Sequence, residues 1–180
     1  MKKLFILFAM LVSMRSGAQV TKVTIQASGL TCSMCSNAIN KALKSVDYVD
    51  KVLANIKNSS FDISFKPGAN VSFDELKKKV EDAGFFVAKF NATMSLDNVR
   101  VEDDAHVNIH GVTFHFLHVK EKLLTGEYSI QVLDRGYVSA KEFKKNAVFT
   151  KMDCYKTGVA GTCCSKSGIS AGVRVYHVTI

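Results

Sequence analysis

The sequence predicts an α+β protein, with a βαββαβ unit over residues 20–90 followed by a small all-β region over 95–180. Three observations carry this reading. Four stretches of the first part alternate apolar and polar residues with the period-two rhythm of a strand. Two stretches between them carry a single apolar stripe at helical spacing. After Asn91-Ala92-Thr93 the helical spacing recedes, and glycine-marked turns separate many short alternating runs.

The chain opens on Lys2-Lys3, nine apolar residues from Leu4 to Val12, and small residues Ser16-Gly17-Ala18. A basic start, a short apolar centre and a small-residue cleavage point are the parts of a secretory signal peptide, so residues 1–18 read as an address. The apolar run falls short of the roughly 20 residues that span a bilayer, so no stable membrane insertion is expected after cleavage. The expected location is periplasmic or extracellular. Loss of Lys2, Lys3 and Arg15 takes the 24 basic residues to 21 against 16 acidic, a net charge of +5. These charges are scattered, not massed and interleaved with aromatics, which argues against a nucleic-acid partner.

Val20 to Ala27 alternates Val23, Ile25 and Ala27 against Lys22, Thr24 and Gln26, giving the first strand. From about Cys35, the positions Ala38, Ile39, Ala42, Leu43 and Val46 mark one face of a helix. Val49–Ile56 and the run holding Phe61, Ile63 and Phe65 are the next strands, parted by Asn58-Ser59-Ser60. Ser72 and Glu75 match a capping box, and Phe73, Leu76, Val80 and Ala83 form the buried stripe of the second helix. Gly84 suits the left-handed position that closes a helix, and Phe86–Phe90 is the fourth strand. Helices with one apolar stripe need a sheet to cover, so both are expected on one face of an antiparallel sheet.

Gly29-Leu30-Thr31-Cys32-Ser33-Met34-Cys35 joins the first strand to the first helix. Two residues between the cysteines let both sulfurs reach one ion from a single turn. A helix start supplies free N–H groups and a positive dipole end, which stabilise thiolates. Thiolates select soft ions such as Cu(I), and two sulfurs do not make the closed four-ligand cage of structural zinc. A disulfide, or a redox pair in which Cys32 attacks and Cys35 resolves, is the competing use of the same residues.

With Glu81-Asp82-Ala83-Gly84-Phe85 before the last strand, residues 21–90 resemble a heavy-metal-associated domain, the module of copper chaperones, copper-pumping ATPases and periplasmic mercury-binding proteins. The resemblance implies a ferredoxin-like βαββαβ fold, Cys32 and Cys35 as metal ligands, and Phe85 on the loop facing them. Leu30 stands where that family usually has Met, a packing residue under the loop. Met34 is expected to point to solvent. The implied cargo is Cu(I), with Hg(II) or another soft ion as the alternative. The implied partner is a metal-transport or metal-acceptor protein, and the exposed loop also allows a metal-bridged homodimer.

In the second region the expected strands are Asn98–Glu102, Ala105–Ile109, Val112–Val119, Tyr128–Leu133, Tyr137–Val138, Ala147–Met152 and Val173–Thr179, with a short helix over Ala140–Asn146. A small barrel or sandwich, OB-like in one version, is the expected arrangement. A hairpin turn at His110-Gly111 places Ile109, Val107 and Ala105 opposite Val112, Phe114 and Phe116 on one face. His106 then stands opposite His115 on the other face, and two solvated histidines are the expected reading over a second metal site. Cys154, Cys163 and Cys164 offer either a disulfide from Cys154 or further soft-metal ligands. Five cysteines are an odd number, so at least one sulfur is left for another purpose. The sequence has no convergent carboxylates, Ser-His-Asp pattern or phosphate loop. It reads as an exported soft-metal carrier or scavenger, not an enzyme.

Overall fold

The computed structural model describes residues 20–30 and 33–180; the leader expected over 1–18 and the expected ligand Cys32 lie outside the described residues. The first part runs β1 (Val20–Ser28), α1 (Ser33–Lys44), β2 (Val49–Asn55), β3 (Ser60–Phe65), α2 (Phe73–Asp82) and β4 (Phe86–Val101), the βαββαβ order read from the sequence. β1 lies between β3 and β4, with Val23 opposite Ile63 and Ala92, and Ile25 opposite Phe61 and Phe90. All six are buried, and they share a core with Ile39 and Leu43 of α1 and Leu76 and Val80 of α2.

Local chemistry sets the helix ends. The Ser72 side chain accepts a hydrogen bond from the Glu75 backbone N–H, as the capping box requires. Gly84 takes φ +88° directly after α2, where a side chain would be strained. In α1 the buried stripe is Ser36, Ile39 and Leu43, while Ala38, expected inside, is exposed.

The second part continues this sheet. The strand order is β2-β3-β1-β4-β7-β8-β6-β5, adding β5 (Ala105–Ile109), β6 (Val112–Phe116), β7 (Lys122–Val132) and β8 (Val175–Thr179). Of the expected small barrel or sandwich, the strands are present but, among the described residues, they extend the first sheet to eight strands and do not close into a barrel. The cause is β4. Its inward alternation of Phe90, Ala92, Met94 and Leu96 runs unbroken through Asn91-Ala92-Thr93, where the sequence reading placed a change of pattern. β4 is 16 residues long: β1 pairs along one edge as far as Met94, and β7 pairs along the other from Asn91 to Val101, with Ala92 against Ile130 and Met94 against Tyr128.

The β5–β6 hairpin has the expected register, from Ala105 opposite Phe116 to Ile109 opposite Val112. His110 and Gly111 both have positive φ, 51° and 83°, as a two-residue type I′ turn needs. α3 (Ala140–Asn146) is also where the sequence places it. Two strand expectations are corrected. Tyr137–Val138 lies in a turn closed by a lone bridge from Arg135 to Val138, and Ala147–Phe149 is one 3-10 turn. A short helix α4 (Cys154–Thr157) and a 3-10 segment over Thr162–Ser167 were not foreseen.

Phe73, at the start of α2, joins the two parts. Its ring lies 5.1 Å from Phe90, 5.2 Å from Tyr176 of β8 and 6.4 Å from Phe114 of β6. A helix of the first part thus packs on strands of the second. Burying each such aromatic is worth roughly 2–3 kcal/mol. On the opposite face of β6 and β8 stand Thr113, His115, Val175 and His177, in parallel register. Residues from the chain between β7 and β8 cover that face, among them Tyr155, Cys154, Ala160 and Cys164.

Candidate metal centres

The loop after β1 begins at Gly29, whose φ of +85° turns the chain toward α1. Leu30 packs against the main core, as a residue supporting the loop should, and Met34 is 81% exposed. Cys35 is half-buried in the first turn of α1, at the positive end of the helix dipole. Phe85, directly after Gly84, brings its Cδ1 within 3.9 Å of where a Cβ on Gly29 would stand. It therefore lies beside Gly29, the first residue of that loop.

A second group of ligating side chains forms on the far part of the sheet. The β5–β6 register stacks His106 on His115, ring centroids 4.2 Å apart, and the parallel β6–β8 register sets His177 beside His115. His115 and His177 are fully buried, so the solvated histidine face expected from sequence is corrected: the segment around α4 covers it. Cys154, at the start of α4, points into this group. Its Sγ lies 3.8 Å from His106 Nε2, 3.8 Å from His115 Nδ1 and 3.5 Å from His177 Nε2. The sulfurs of Cys154, Cys163 and Cys164 lie within 4.8 Å of one another and are unbridged, so of the two uses open from sequence the disulfide from Cys154 is not formed. His118 stands apart, stacked on Phe149.

Burial, then the neighbouring thiols, pushes the Cys154 thiol up. Burial, then the charges of His106 and His177, pushes His115 down to about 4. Burial works the other way at Cys163, but hydrogen bonds from the backbone and the neighbouring thiols pull that thiol below its ordinary value.

Comparison with known proteins bears on the first of these sites. The model of the heavy-metal-associated domain matches residues 24–86. The periplasmic component of the mercuric transport protein from Pseudomonas fluorescens is 35% identical over 68 residues, which are 38% of this chain and 74% of that protein. The chain belongs to the heavy-metal-associated domain family. The copper chaperone CopZ of Bacillus subtilis is similar, at 32% identity over 37% of this chain and 94% of the chaperone. The copper-transporting ATPase RAN1 of Arabidopsis thaliana is 32% identical over 39% of this chain, but the chain spans only 7% of the length of that ATPase.

An ionic network ties the heavy-metal-associated part to the cysteine–histidine group. Asp74 of α2 accepts hydrogen bonds from Tyr137 Oη at 2.6 Å, Tyr176 Oη at 2.9 Å and Arg174 Nε at 3.0 Å. Arg174 also pairs with Asp134 at 2.9 Å, and Asp134 in turn holds His177 Nδ1 at 2.6 Å. Although burial alone would raise it, the hydrogen bonds from Arg174 and Tyr137 hold the Asp74 carboxyl below its usual value. A carboxyl depressed in the fold adds stability above its ordinary pKa, and that stability is lost as pH falls through the lower, folded value. Asp74→Asn is therefore expected to cost about 1–2 kcal/mol at neutral pH, reduced by the partial exposure of the pair, with the deficit closing in acid. Urea unfolding of both proteins from pH 7 down to pH 3 measures it.

His177, Asp134 and Asp104 are the site residues that sequence reasoning missed. The alternation of the last strand puts His177 on the same face as Val175, but only the parallel pairing of β8 with β6 brings it to His115.

Proposed function

We propose that the chain is an exported binding protein that carries or scavenges Cu(I), holding the ion between the thiolates of Cys32 and Cys35. The observation that carries this reading is the position of Cys35, in the first turn of the first helix of a complete βαββαβ unit. Dipole and backbone N–H groups favour thiolate there, and paired thiolates select soft ions. A low-coordinate ion at an exposed loop passes to an acceptor by exchange of one thiolate at a time. That suits a metal-transport protein as partner, and the copper-named and mercury-named relatives are consistent with it. Residues 1–18 direct the carrier outside the cytoplasm, to the periplasm or beyond.

Hg(II) is the second reading, favoured by the similarity to a periplasmic mercuric transport component. Both ions suit the same two sulfurs.

The test is titration of the reduced mature protein with Cu(I), and separately with Hg(II), against a competing chelator. In a background where Cys154 is serine, one equivalent of ion is expected to bind tightly, and Cys32→Ser/Cys35→Ser is expected to abolish that binding. Binding that survives the double substitution overturns the proposal. Rapid reduction of a glutathione disulfide by the metal-free protein would assign the pair to redox chemistry instead.

A further inference from the structure

We propose a second metal centre in this chain, a thiolate–imidazole site centred on Cys154 that takes a d10 ion such as Zn(II) or Cu(I). It goes beyond the reading of Cys32 and Cys35 and stands without it. Two sets of three ligand atoms, each within 4.8 Å of one another, share Cys154: one with His106 and His115, the other with Cys163 and Cys164.

The spacing is that of ligands around one ion. Zn–S and Zn–N bonds of about 2.3 and 2.05 Å at a tetrahedral angle put sulfur and nitrogen about 3.6 Å apart. The Cys154 sulfur lies 3.5 to 3.8 Å from three imidazole nitrogens, and those of His106 and His115 also lie within 4.8 Å of each other.

The outer nitrogens point the same way. Asp104 Oδ1 accepts from His115 Nε2 at 3.0 Å, and Asp134 Oδ1 accepts from His177 Nδ1 at 2.6 Å. His106 Nδ1 lies 3.5 Å from Ser167 Oγ. A carboxylate only accepts, so in their neutral form His115 and His177 carry lone pairs on the nitrogens that face Cys154. One S–H can satisfy only one of them. In a fully buried pocket the other lone pair lacks a donor, and an ion that displaces the thiol proton satisfies both sulfur and nitrogen. Asp104 and Asp134 are then the outer partners that orient ligating imidazoles. Asp104 is held at φ 54°, a conformation a non-glycine residue adopts at some cost.

Cys154, His177 and Asp134 also stand in the order of nucleophile, base and orienting carboxylate. That use is disfavoured because Cys154 is 1% exposed and is enclosed by two more imidazoles and two more thiols, so a substrate has no open approach to it. The half-buried Cys163 is the outermost of the three thiols.

The experiment uses the mature protein carrying Cys32→Ser/Cys35→Ser, which removes the loop pair, so its outcome is independent of the first site. The reduced protein is titrated with Zn(II) and, in a second arm, with Cu(I), each against a chromophoric competitor. Co(II) absorption in the same protein reports mixed sulfur–nitrogen ligation. At least one equivalent is expected to bind in one arm, and that arm names the ion. Cys154→Ser should weaken it by more than about 100-fold, and Asp134→Asn by about 10- to 100-fold, as for an outer partner. His118→Gln should leave it unchanged. His115→Gln, with folding checked by circular dichroism, replaces Cys154→Ser if that variant does not fold. No binding in either arm, or binding undiminished in the Cys154→Ser and His115→Gln variants, overturns the proposal.

Discussion

Replacing Cys35 by serine is expected to weaken Cu(I) binding at the loop by more than about 100-fold, beyond the 10- to 100-fold that loss of an outer-shell partner costs. The effect is large because a two-sulfur site has no redundancy. Removal of one thiolate leaves a single soft ligand, and a hydroxyl is a hard substitute for a soft ion. The fold should not register the change. Cys35 is half-buried at the helix start, while the burial that stabilises α1 comes from Ser36, Ile39 and Leu43. Competition titration and thermal unfolding, run together, separate the two quantities. Met34→Ala is the matched control: the side chain is 81% exposed, so neither affinity nor stability should move. A large drop in affinity in that control would make the thioether a third ligand.

The second large effect concerns the fold. Phe73→Ala is expected to destabilise the protein by about 3–5 kcal/mol, the range for truncating a buried aromatic. Phe73 is 3% exposed and packs on Phe90 of β4, Phe114 of β6 and Tyr176 of β8. The cavity would therefore open between the metal-binding unit and the strands that extend its sheet. If β4 and this aromatic cluster make the two parts one cooperative body, amide exchange should rise in β1 and in β8 together. Urea unfolding followed by exchange mass spectrometry reads both. Faster exchange confined to the first 90 residues would mean that the two parts unfold separately.

The first part was legible because its signals are local. Period two in Val23, Ile25 and Ala27, the Ser72–Glu75 cap and Gly84 each act within a few residues, and each is found where the sequence places it. The β5–β6 hairpin was legible for the same reason: a two-residue turn fixes the register, and the register fixes which histidines face each other. What local pattern could not supply was the pairing of strands distant in sequence. β4 reads as two strands when broken at residue 91, and as the hinge of one continuous sheet when its inward residues are followed to Leu96. His177 had no meaning until β8 lay parallel to β6, 62 positions after His115 in the chain. The histidine face reads as solvated from sequence because its cover comes from short irregular turns around Cys154 and Cys164 that have no periodic signature.

The central claim is that a soft ion is held by sulfur alone at Cys32 and Cys35. X-ray absorption at the copper edge tests it most directly, on protein carrying Cys154→Ser and loaded with one equivalent of Cu(I). The predicted spectrum has a sulfur-only first shell with no imidazole scattering, and the copper signal is lost from protein that also carries Cys32→Ser/Cys35→Ser. Imidazole nitrogen in the shell, or an unchanged spectrum after the double substitution, would contradict the account.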